Sequence, residues 1–313
     1  MKNKFIFSYS SLNKLLFAPK LFFSHYFLNE REEKIESYLV DGKLVHCYVL
    51  QPEAFDDLFS VTPSKTPTDS VRKVLHAVHD RVDGGSLEDH HSTILEILAE
   101  QNLYQSFNED SKRLEKILTE DNEFYYNFIG NRDKTVVDEV TITRCREHAD
   151  TMLAYEPIKK HIEETKDNDR YTVHNEEFLT LEEYKNGFGL KGIIDRYVID
   201  NQENTIRIID VKTSGKTISS FVEDSIEYYN YWLQAAIYIR LIQNKYGIPI
   251  EKISYSFWVI DKYQQVFEFH LSEKTKNNYL SRLDGSLEKG IYHFDTMDFS
   301  LPYDFIKGNA AMI

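Results

Sequence analysis

The stretch FGLKGIIDRYVIDNQENTIRIIDVKT, residues 188–213, decides the fold. Both of its halves are rich in Ile and Val, which favour β-strands, and Asn201-Gln202-Glu203-Asn204 between them has the composition of a hairpin turn. A third run typical of a strand, with aromatic residues and threonines, precedes it, before Asn186-Gly187. We therefore predict a meander of three consecutive strands over Tyr171–Tyr184, Phe188–Asp200 and Thr205–Thr213.

Further helices and strands are predicted on both sides of this meander. Downstream, a helix over Ser220–Tyr246 ends at Gly247-Ile248-Pro249, and later segments alternate as strands do. Upstream, the first sixty residues have a helical pattern, with Ser10 or Ser11 as a helix cap and Pro19 opening a second helix. The remaining predicted elements are helices over Tyr38–Leu50, Val136–Glu164 with a bend at Pro157, and Lys274–Leu287, and strands over Lys252–Ile260 and Gln265–Leu271.

A meander followed by a crossover helix and another strand predicts an α/β core with a central mixed β-sheet flanked by helices. Because Thr62–Ser70 has a loop composition and polar helices follow it, we expect a helical insertion or lid over residues 61–135. The expected parts are an N-terminal helical region over 1–60, this insertion, a core over 136–290 and a C-terminal tail over 291–313.

Charge and cysteine content limit the function classes. The 313 residues include 37 Lys and Arg against 51 Asp and Glu, a formal charge of −14. A general basic surface for nucleic acid is therefore excluded, and any phosphate chemistry must be confined to a local site, with a divalent cation. The two cysteines, Cys47 and Cys145, allow neither a disulfide framework nor a four-cysteine iron–sulfur cluster. With no apolar run long enough for a membrane span, we expect a soluble cytoplasmic protein.

Polar residues on two consecutive predicted strands form the candidate site. Asp210 and Lys212 lie two apart in Ile209-Asp210-Val211-Lys212-Thr213 and therefore share a face, opposite Ile209 and Val211. Asp195 lies within the apolar run of the preceding strand, where a carboxylate is costly unless it is paired or binds metal. If these strands pair, the two carboxylates converge and suit Mg²⁺. The structural alternative is an ion pair of Asp195 with Lys212, with Asp210 capping its strand.

The succession Gly192-Ile193-Ile194-Asp195, Ile209-Asp210-Val211-Lys212-Thr213 and Gln234-Ala235-Ala236-Ile237-Tyr238 resembles the PD-(D/E)XK nuclease superfamily, and within it the RecE-like and lambda-exonuclease-like branch. The resemblance implies a restriction-endonuclease-like core in which Asp195, Asp210, Lys212, Gln234 and Tyr238 are catalytic. Gln234 and Tyr238 are four residues apart and share a helix face. Helix packing in an aromatic segment is the alternative reading of that pair.

The N-terminal segment adds to the resemblance. Ser10-Ser11-Leu12 with Pro19, Gly42-x-x-x-His46 and Leu50-Gln51-Pro52-Glu53 are similar to the opening elements of that branch. The resemblance implies that His46 is a metal ligand together with Asp195 and Asp210, whereas a lone histidine on such a helix is otherwise a core residue. Whether Glu177 of the first strand enters the site is left open.

The resemblance implies a metal-dependent deoxyribonuclease, an exonuclease on linear double-stranded DNA that acts in recombination or phage DNA processing. It implies Mg²⁺, with Mn²⁺ as substitute, a homo-oligomeric ring, a single-strand annealing protein as partner, and the cytoplasm of a bacterium or phage-infected host. Lys191, Arg196 and Lys216, with Arg207 and Lys212, are the basic residues available to contact DNA. The alternatives are an endonuclease with the same site and a catalytically degenerate binding or regulatory protein on this scaffold.

Overall fold

Residues 5–30, 37–131 and 133–308 are described by a computed structural model, with the backbone alone at Ser37. The chain divides into two compact units. Unit 1 comprises Met1–Gln51 and Glu147–Ile313, and unit 2 comprises Pro52–Arg146. Residues 1–4, and the last five residues of the predicted tail, lie outside the described residues.

The strands of the described chain are β1 (Phe5–Phe7), β2 (Phe59–Val61), β3 (Thr135–Val137), β4 (Tyr171–Lys185), β5 (Phe188–Asp200), β6 (Thr205–Ser214), β7 (Ile253–Asp261) and β8 (Val266–His270).

The α-helices are α1 (Tyr9–Phe17), α2 (Pro19–Tyr26), α3 (Ser37–Leu50), α4 (Phe55–Leu58), α5 (Asp69–Arg81), α6 (His91–Glu100), α7 (Asp110–Leu114), α8 (Glu120–Gly130), α9 (Glu139–Ala154), α10 (Glu156–Thr165), α11 (Tyr231–Tyr246), α12 (Glu273–Thr296) and α13 (Tyr303–Lys307). A π-helix covers Phe221–Tyr228, and short 3₁₀ turns cover Pro52–Ala54, Leu87–His90, Ile218–Ser220 and Ile250–Lys252.

Unit 1 is built on a mixed sheet, which confirms the predicted fold class. Among the described residues the sheet has six strands in the order β1-β5-β6-β7-β8, with β4 paired to β5. The pairs β4–β5 and β5–β6 are antiparallel, so the predicted meander is present. The chain then crosses over through α11, and β7 pairs parallel to β6, as a helical crossover requires.

The sheet packs on one face against α1, α11 and α12. The shared apolar cluster includes Phe7, Leu12, Leu233, Phe257 and Leu283, all fully buried. Ile206 and Ile208 of β6 belong to this cluster, which places the even-numbered residues of β6 toward α11. Burial of apolar side chains on this scale is the main favourable term in folding, and it fixes the face on which Asp210 and Lys212 lie.

Three predictions at the level of elements were wrong. The first sixty residues are not all helical, because β1 pairs parallel with Phe188–Leu190 and β2 pairs with β3. Ser8, rather than Ser10 or Ser11, caps α1. The predicted helix over Ser220–Tyr246 is interrupted: a π-helix ends at Tyr228, and Asn230 has a left-handed backbone, φ 59°, before α11 begins.

The other helical predictions needed smaller changes. The helix expected over Val136–Glu164 was wrong at its start, because Val136 and Val137 belong to β3. The rest is two helices, and Pro157 lies at the start of the second, where proline is well tolerated. The closing helix α12 continues to Thr296, well beyond the expected end at Leu287.

Unit 2 has an apolar core of its own. Val74, Leu75, Ile94, Ile97 and Ile117 are fully buried in one cluster. The amphipathic helix α5 supplies part of it, as its apolar residues recur with helical spacing. None of the described helices of the chain combines the length and the apolar character that crossing a bilayer requires.

Candidate active site

A gap in strand pairing creates the candidate site. One edge of β5 pairs with β1 over Phe188–Leu190 and with β6 from Arg196 onward. The stretch between them, which includes Asp195, has neither of these neighbours in the ladder. The β5–β6 pairing ends at Arg196 and Ile209, one position before Asp195 and Asp210, so both aspartates lie where the two strands separate.

The Asp195 carboxylate accepts the hydrogen bond that a backbone carbonyl would accept in a continuous sheet. Its Oδ2 accepts a hydrogen bond of 2.8 Å from the backbone N–H of Val211, and the side chain is almost fully buried. A buried backbone N–H needs an acceptor, and here the acceptor is a carboxylate. This bond holds Asp195 against the segment of β6 that carries Asp210 and Lys212.

Asp210 is fully buried and has one hydrogen-bonded oxygen. Its Oδ1 accepts from the Gln234 amide at 3.2 Å, whereas Oδ2 accepts no hydrogen bond from the described residues. The Lys212 ammonium lies 2.7 Å from Oδ2, close enough for a strong attraction of charges although the alignment is not that of a hydrogen bond. Burial and, to a smaller extent, the Asp195 carboxylate raise the pKa of Asp210 to about 7, against the opposing effects of Lys212 and His46.

Lys212 is a largely buried cation. Burial lowers its pKa, but the carboxylates of Asp210 and Asp195 outweigh that effect, and the net pKa is raised. Its Nζ lies 4.9 Å from the centre of the Tyr231 ring, a distance at which the ring face attracts a cation. Two carboxylates and an aromatic face therefore keep this ammonium charged and in place.

His46 reaches the same point from α3. Its Nε2–H donates to the Val211 carbonyl at 2.8 Å, and its Nδ1 lies 3.4 Å from Glu176 Oε1 and 3.7 Å from Asp195 Oδ2. Burial lowers the pKa of His46, but Asp195 and Glu176 reverse this, so the net pKa is raised. Gly42, one turn earlier, is not sterically required, since an added Cβ would lie an ordinary 3.6 Å from Thr213 Oγ1.

Glu176 is a candidate metal ligand that the sequence did not reveal. One ligand atom from each of His46, Glu176 and Asp195 lies within 4.8 Å of the others. Glu177, which was left open, turns away from this group and contacts Lys245 and Tyr197 instead. Glu176 has φ 49° inside β4, a left-handed conformation that non-glycine residues seldom adopt in a strand. The alternation of side chains along a regular strand therefore could not show which of Glu176 and Glu177 faces the site.

The predicted Gln-x-x-x-Tyr pair lies on α11 and faces the site. Gln234 Nε2 donates to the Tyr238 hydroxyl at 2.8 Å as well as to Asp210. Burial raises the pKa of Tyr238 well above its usual value, with further contributions from Asp195 and Asp210, so the phenol stays neutral. Position 192 requires glycine for steric reasons, because a Cβ there would lie 2.8 Å from Cε1 of Tyr238.

The basic residues expected to contact DNA have different surroundings. Lys216 is exposed in the segment after β6, and Lys191 is half-buried in β5 near the gap. Arg196 is only 6% exposed and donates to Asn175 and Thr165. Arg207 lies beside it and pairs with Glu268. The structure thus brings together six of the predicted residues, Asp195, Asp210, Lys212, Gln234, Tyr238 and His46, and it buries Arg196 on another face.

A family model of the PD-(D/E)XK nuclease superfamily matches residues 6–293. The chain belongs to this superfamily. PD-(D/E)XK nucleases hydrolyse phosphodiester bonds with the help of divalent metal ions, and the chain is accordingly a nuclease.

Comparison with curated proteins gives no match for this PD-(D/E)XK chain. Among solved structures, it is similar to a candidate exonuclease from Eubacterium rectale, with 11% identity and a TM-score of 0.48 over 99% of this chain and 90% of that one. Another similar structure is that of SSO0001, with 15% identity and a TM-score of 0.28 over 55% of this chain and 79% of that one.

Proposed function

We propose that this nuclease is a Mg²⁺-dependent exodeoxyribonuclease whose centre consists of Asp195, Asp210, Lys212 and His46. The observation that carries the proposal is the convergence of two buried carboxylates, an ammonium and an imidazole at the gap between β5 and β6. A binding protein would have no need to bury these groups together, since each one is costly to desolvate.

The chemistry of the donors at this gap fits a hard divalent cation. Asp210 Oδ2 is buried without a hydrogen bond from a described residue, and Asp195 and Glu176 add carboxylate oxygens beside His46. Mg²⁺ and Mn²⁺ both accept such oxygen-rich sets. We propose that Asp195, Asp210 and His46 hold the ion, with Glu176 as a further ligand. When bound, the ion supplies Lewis-acid activation of the phosphoryl group and lowers the pKa of a water.

The remaining groups have roles that follow from their contacts. The Lys212 ammonium, held by Asp210 and Tyr231, donates a hydrogen bond to the attacking water or to a phosphate oxygen and stabilises the negative charge that develops there. Gln234 and Tyr238 orient the Oδ1 atom of Asp210, and the Val211 N–H orients Asp195. Groups held in this way need little rearrangement during the reaction.

The finer assignments rest on the motif order that resembles the exonuclease branch. We propose attack from the ends of linear DNA, with Lys191 and Lys216 contacting phosphates near the site and without Arg196, which is buried. A homo-oligomer, a single-strand annealing partner and a role in recombination or phage DNA processing belong to the same proposal.

Digestion of linear and circular DNA tests this function. We expect products from the linear form in Mg²⁺ or Mn²⁺, none in EDTA, and no cutting of covalently closed circles. Cutting of closed circles would favour the endonuclease, and metal-independent or absent cleavage would contradict the proposal. The Asp210→Asn protein, purified in parallel, excludes a contaminating nuclease.

A further inference from the structure

Three tyrosines form a row that leads outward from the catalytic lysine. The Tyr231 ring lies 4.9 Å from Lys212 Nζ, the Tyr229 ring 6.4 Å from that of Tyr231, and the Tyr228 ring 5.1 Å from that of Tyr229. Exposure increases along the row: Tyr231 is half-buried, Tyr229 is 47% exposed and Tyr228 is 72% exposed. We call Tyr228, Tyr229 and Tyr231 the tyrosine row.

The backbone around the tyrosine row is fixed by specific bonds. The Tyr9 hydroxyl donates to the Tyr229 carbonyl at 2.6 Å. Asn230, in its left-handed conformation, donates to Asn13 and accepts from the Trp232 indole. The preceding π-helix is anchored by Phe221, which is fully buried against Phe257 and Phe269. Exposed aromatic rings on a rigid backbone lose little entropy when a ligand stacks on them, so they are suited to binding planar groups.

The charges around the tyrosine row disfavour a duplex as the group bound there. Glu223, Asp224 and Glu227 lie in the adjoining π-helix, and only Glu227 has a described basic partner in an ion pair, Arg282. A duplex presents a phosphate about every 1.7 Å and needs cations to neutralise them, whereas a single strand has half that density. Proteins that bind single strands use stacking on aromatic rings in addition to charge.

We propose that unpaired nucleobases of a single-stranded DNA end stack on Tyr228 and Tyr229, so that the strand delivered to Lys212 is single-stranded at the site. The inference rests on the proposed nuclease function and adds the form of the substrate. Tyr231 connects the exposed tyrosines to the catalytic centre, because its ring contacts both the Tyr229 ring and the Lys212 ammonium. A duplex end would have to be frayed before its strand could enter.

The test is DNA binding measured by fluorescence anisotropy in the Asp210→Asn protein, which binds without turnover. The probes are a labelled oligothymidylate of about 20 nucleotides, longer than the binding sites of single-strand-binding folds, and a blunt-ended duplex of two annealed strands. Tyr228→Ala with Tyr229→Ala should weaken single-strand binding about 5- to 150-fold for each stacked base lost. Duplex binding should change by less than about twofold, because blunt ends offer no free base to stack.

Two controls separate stacking from general damage. Tyr228→Phe with Tyr229→Phe keeps the rings and should keep the affinity. Phe305→Ala removes another exposed ring, 63% exposed, in α13, and should have no effect. If the double alanine variant unfolds, Tyr228→Ala alone serves, since that side chain is the most exposed of the row. Unchanged single-strand binding, or an equal loss on both probes, would overturn the inference.

The inference and the proposed function fail in different ways. If the wild-type protein cleaves DNA but its binding of single strands does not depend on the tyrosines, the tyrosine row is not a binding site and the proposed nuclease function stands. If binding of single strands depends on the tyrosines but no divalent metal supports cleavage, the binding role of the tyrosine row stands and the proposed nuclease function is contradicted.

Discussion

Replacement of Gly192 by alanine should displace Tyr238 and, through it, Asp210 of the proposed centre. An added Cβ would lie 2.8 Å from Cε1 and 3.3 Å from Cδ1 of Tyr238, and 3.5 Å from Cδ1 of Leu241. Because carbon atoms pack at about 3.5–4.0 Å, the ring must retreat by about 0.7 Å or more. Its hydroxyl is bonded to Gln234, which in turn holds Asp210, so the displacement is passed to the site.

The expected size of the effect follows from these distances. Overpacking of a core costs about 1–3 kcal/mol, and alanine recovers about 0.4–1 kcal/mol by restricting the unfolded chain. We therefore expect the free energy of unfolding to fall by about 1–2 kcal/mol. A misplacement of about 1 Å at a catalytic centre lowers the rate about 100-fold, so a shift of this size should lower cleavage about 10- to 100-fold.

Urea unfolding and single-turnover cleavage measure the two effects. Gly285→Ala is the matched control, because a Cβ there meets nothing within 4 Å inside α12, and it should stabilise the helix by about 0.5–1 kcal/mol. In a Tyr238→Leu background, Gly192→Ala should cost less stability, because the ring that it meets is gone. Full activity and stability of Gly192→Ala would refute the coupling between Gly192, Tyr238 and Asp210.

Four other substitutions test individual side chains. Lys212→Ala should abolish cleavage and leave the fold intact, and normal turnover on DNA would contradict its role. His46→Ala should raise the Mn²⁺ concentration required for half-maximal activity; an unchanged metal requirement with lowered stability would make His46 a core residue. In EDTA, Asp210→Asn should raise the free energy of unfolding near pH 8 by about 2–4 kcal/mol. That gain should shrink toward pH 5, because a raised carboxyl pKa makes the wild type less stable as pH rises from about 4 to about 7. Burial lowers the pKa of His161 to about 3, so stability should fall on acidification below about 6.5, and at pH 5 His161→Gln should remove about 2 kcal/mol of that loss.

Much of unit 1 could be predicted from the sequence because its strands are long. The meander and the crossover helix follow from apolar runs with turn residues between them, and the shared face of Asp210 and Lys212 follows from alternation alone. Strand β1 could not be found in this way, since three residues are too few to show a period, and its pairing with Phe188–Leu190 is fixed only by tertiary contacts.

The parts of the site that escaped prediction are those where local rules are broken. Glu176 enters the cluster because its backbone is left-handed, and Asn230, in the same conformation, separates the π-helix from α11. Arg196 was expected at a DNA surface, but it follows Asp195 in β5 and its side chain is buried with Asn175 and Thr165. Charge alone could not distinguish it from Lys216, which is exposed. Departures of this kind concentrate at functional sites.

The rate of phosphodiester cleavage by the wild-type and Asp210→Asn proteins, on end-labelled linear DNA with and without Mg²⁺, tests the central claim most directly. Asparagine preserves the size of the side chain and the hydrogen bond with Gln234 while it removes the charge. The predicted result is Mg²⁺-dependent cleavage by the wild type and a loss of about 100- to 1,000-fold in the variant, comparable to the loss of one electrostatic group at an active site. Equal rates for the two proteins, or cleavage that persists without a divalent metal, would contradict the assignment of this centre.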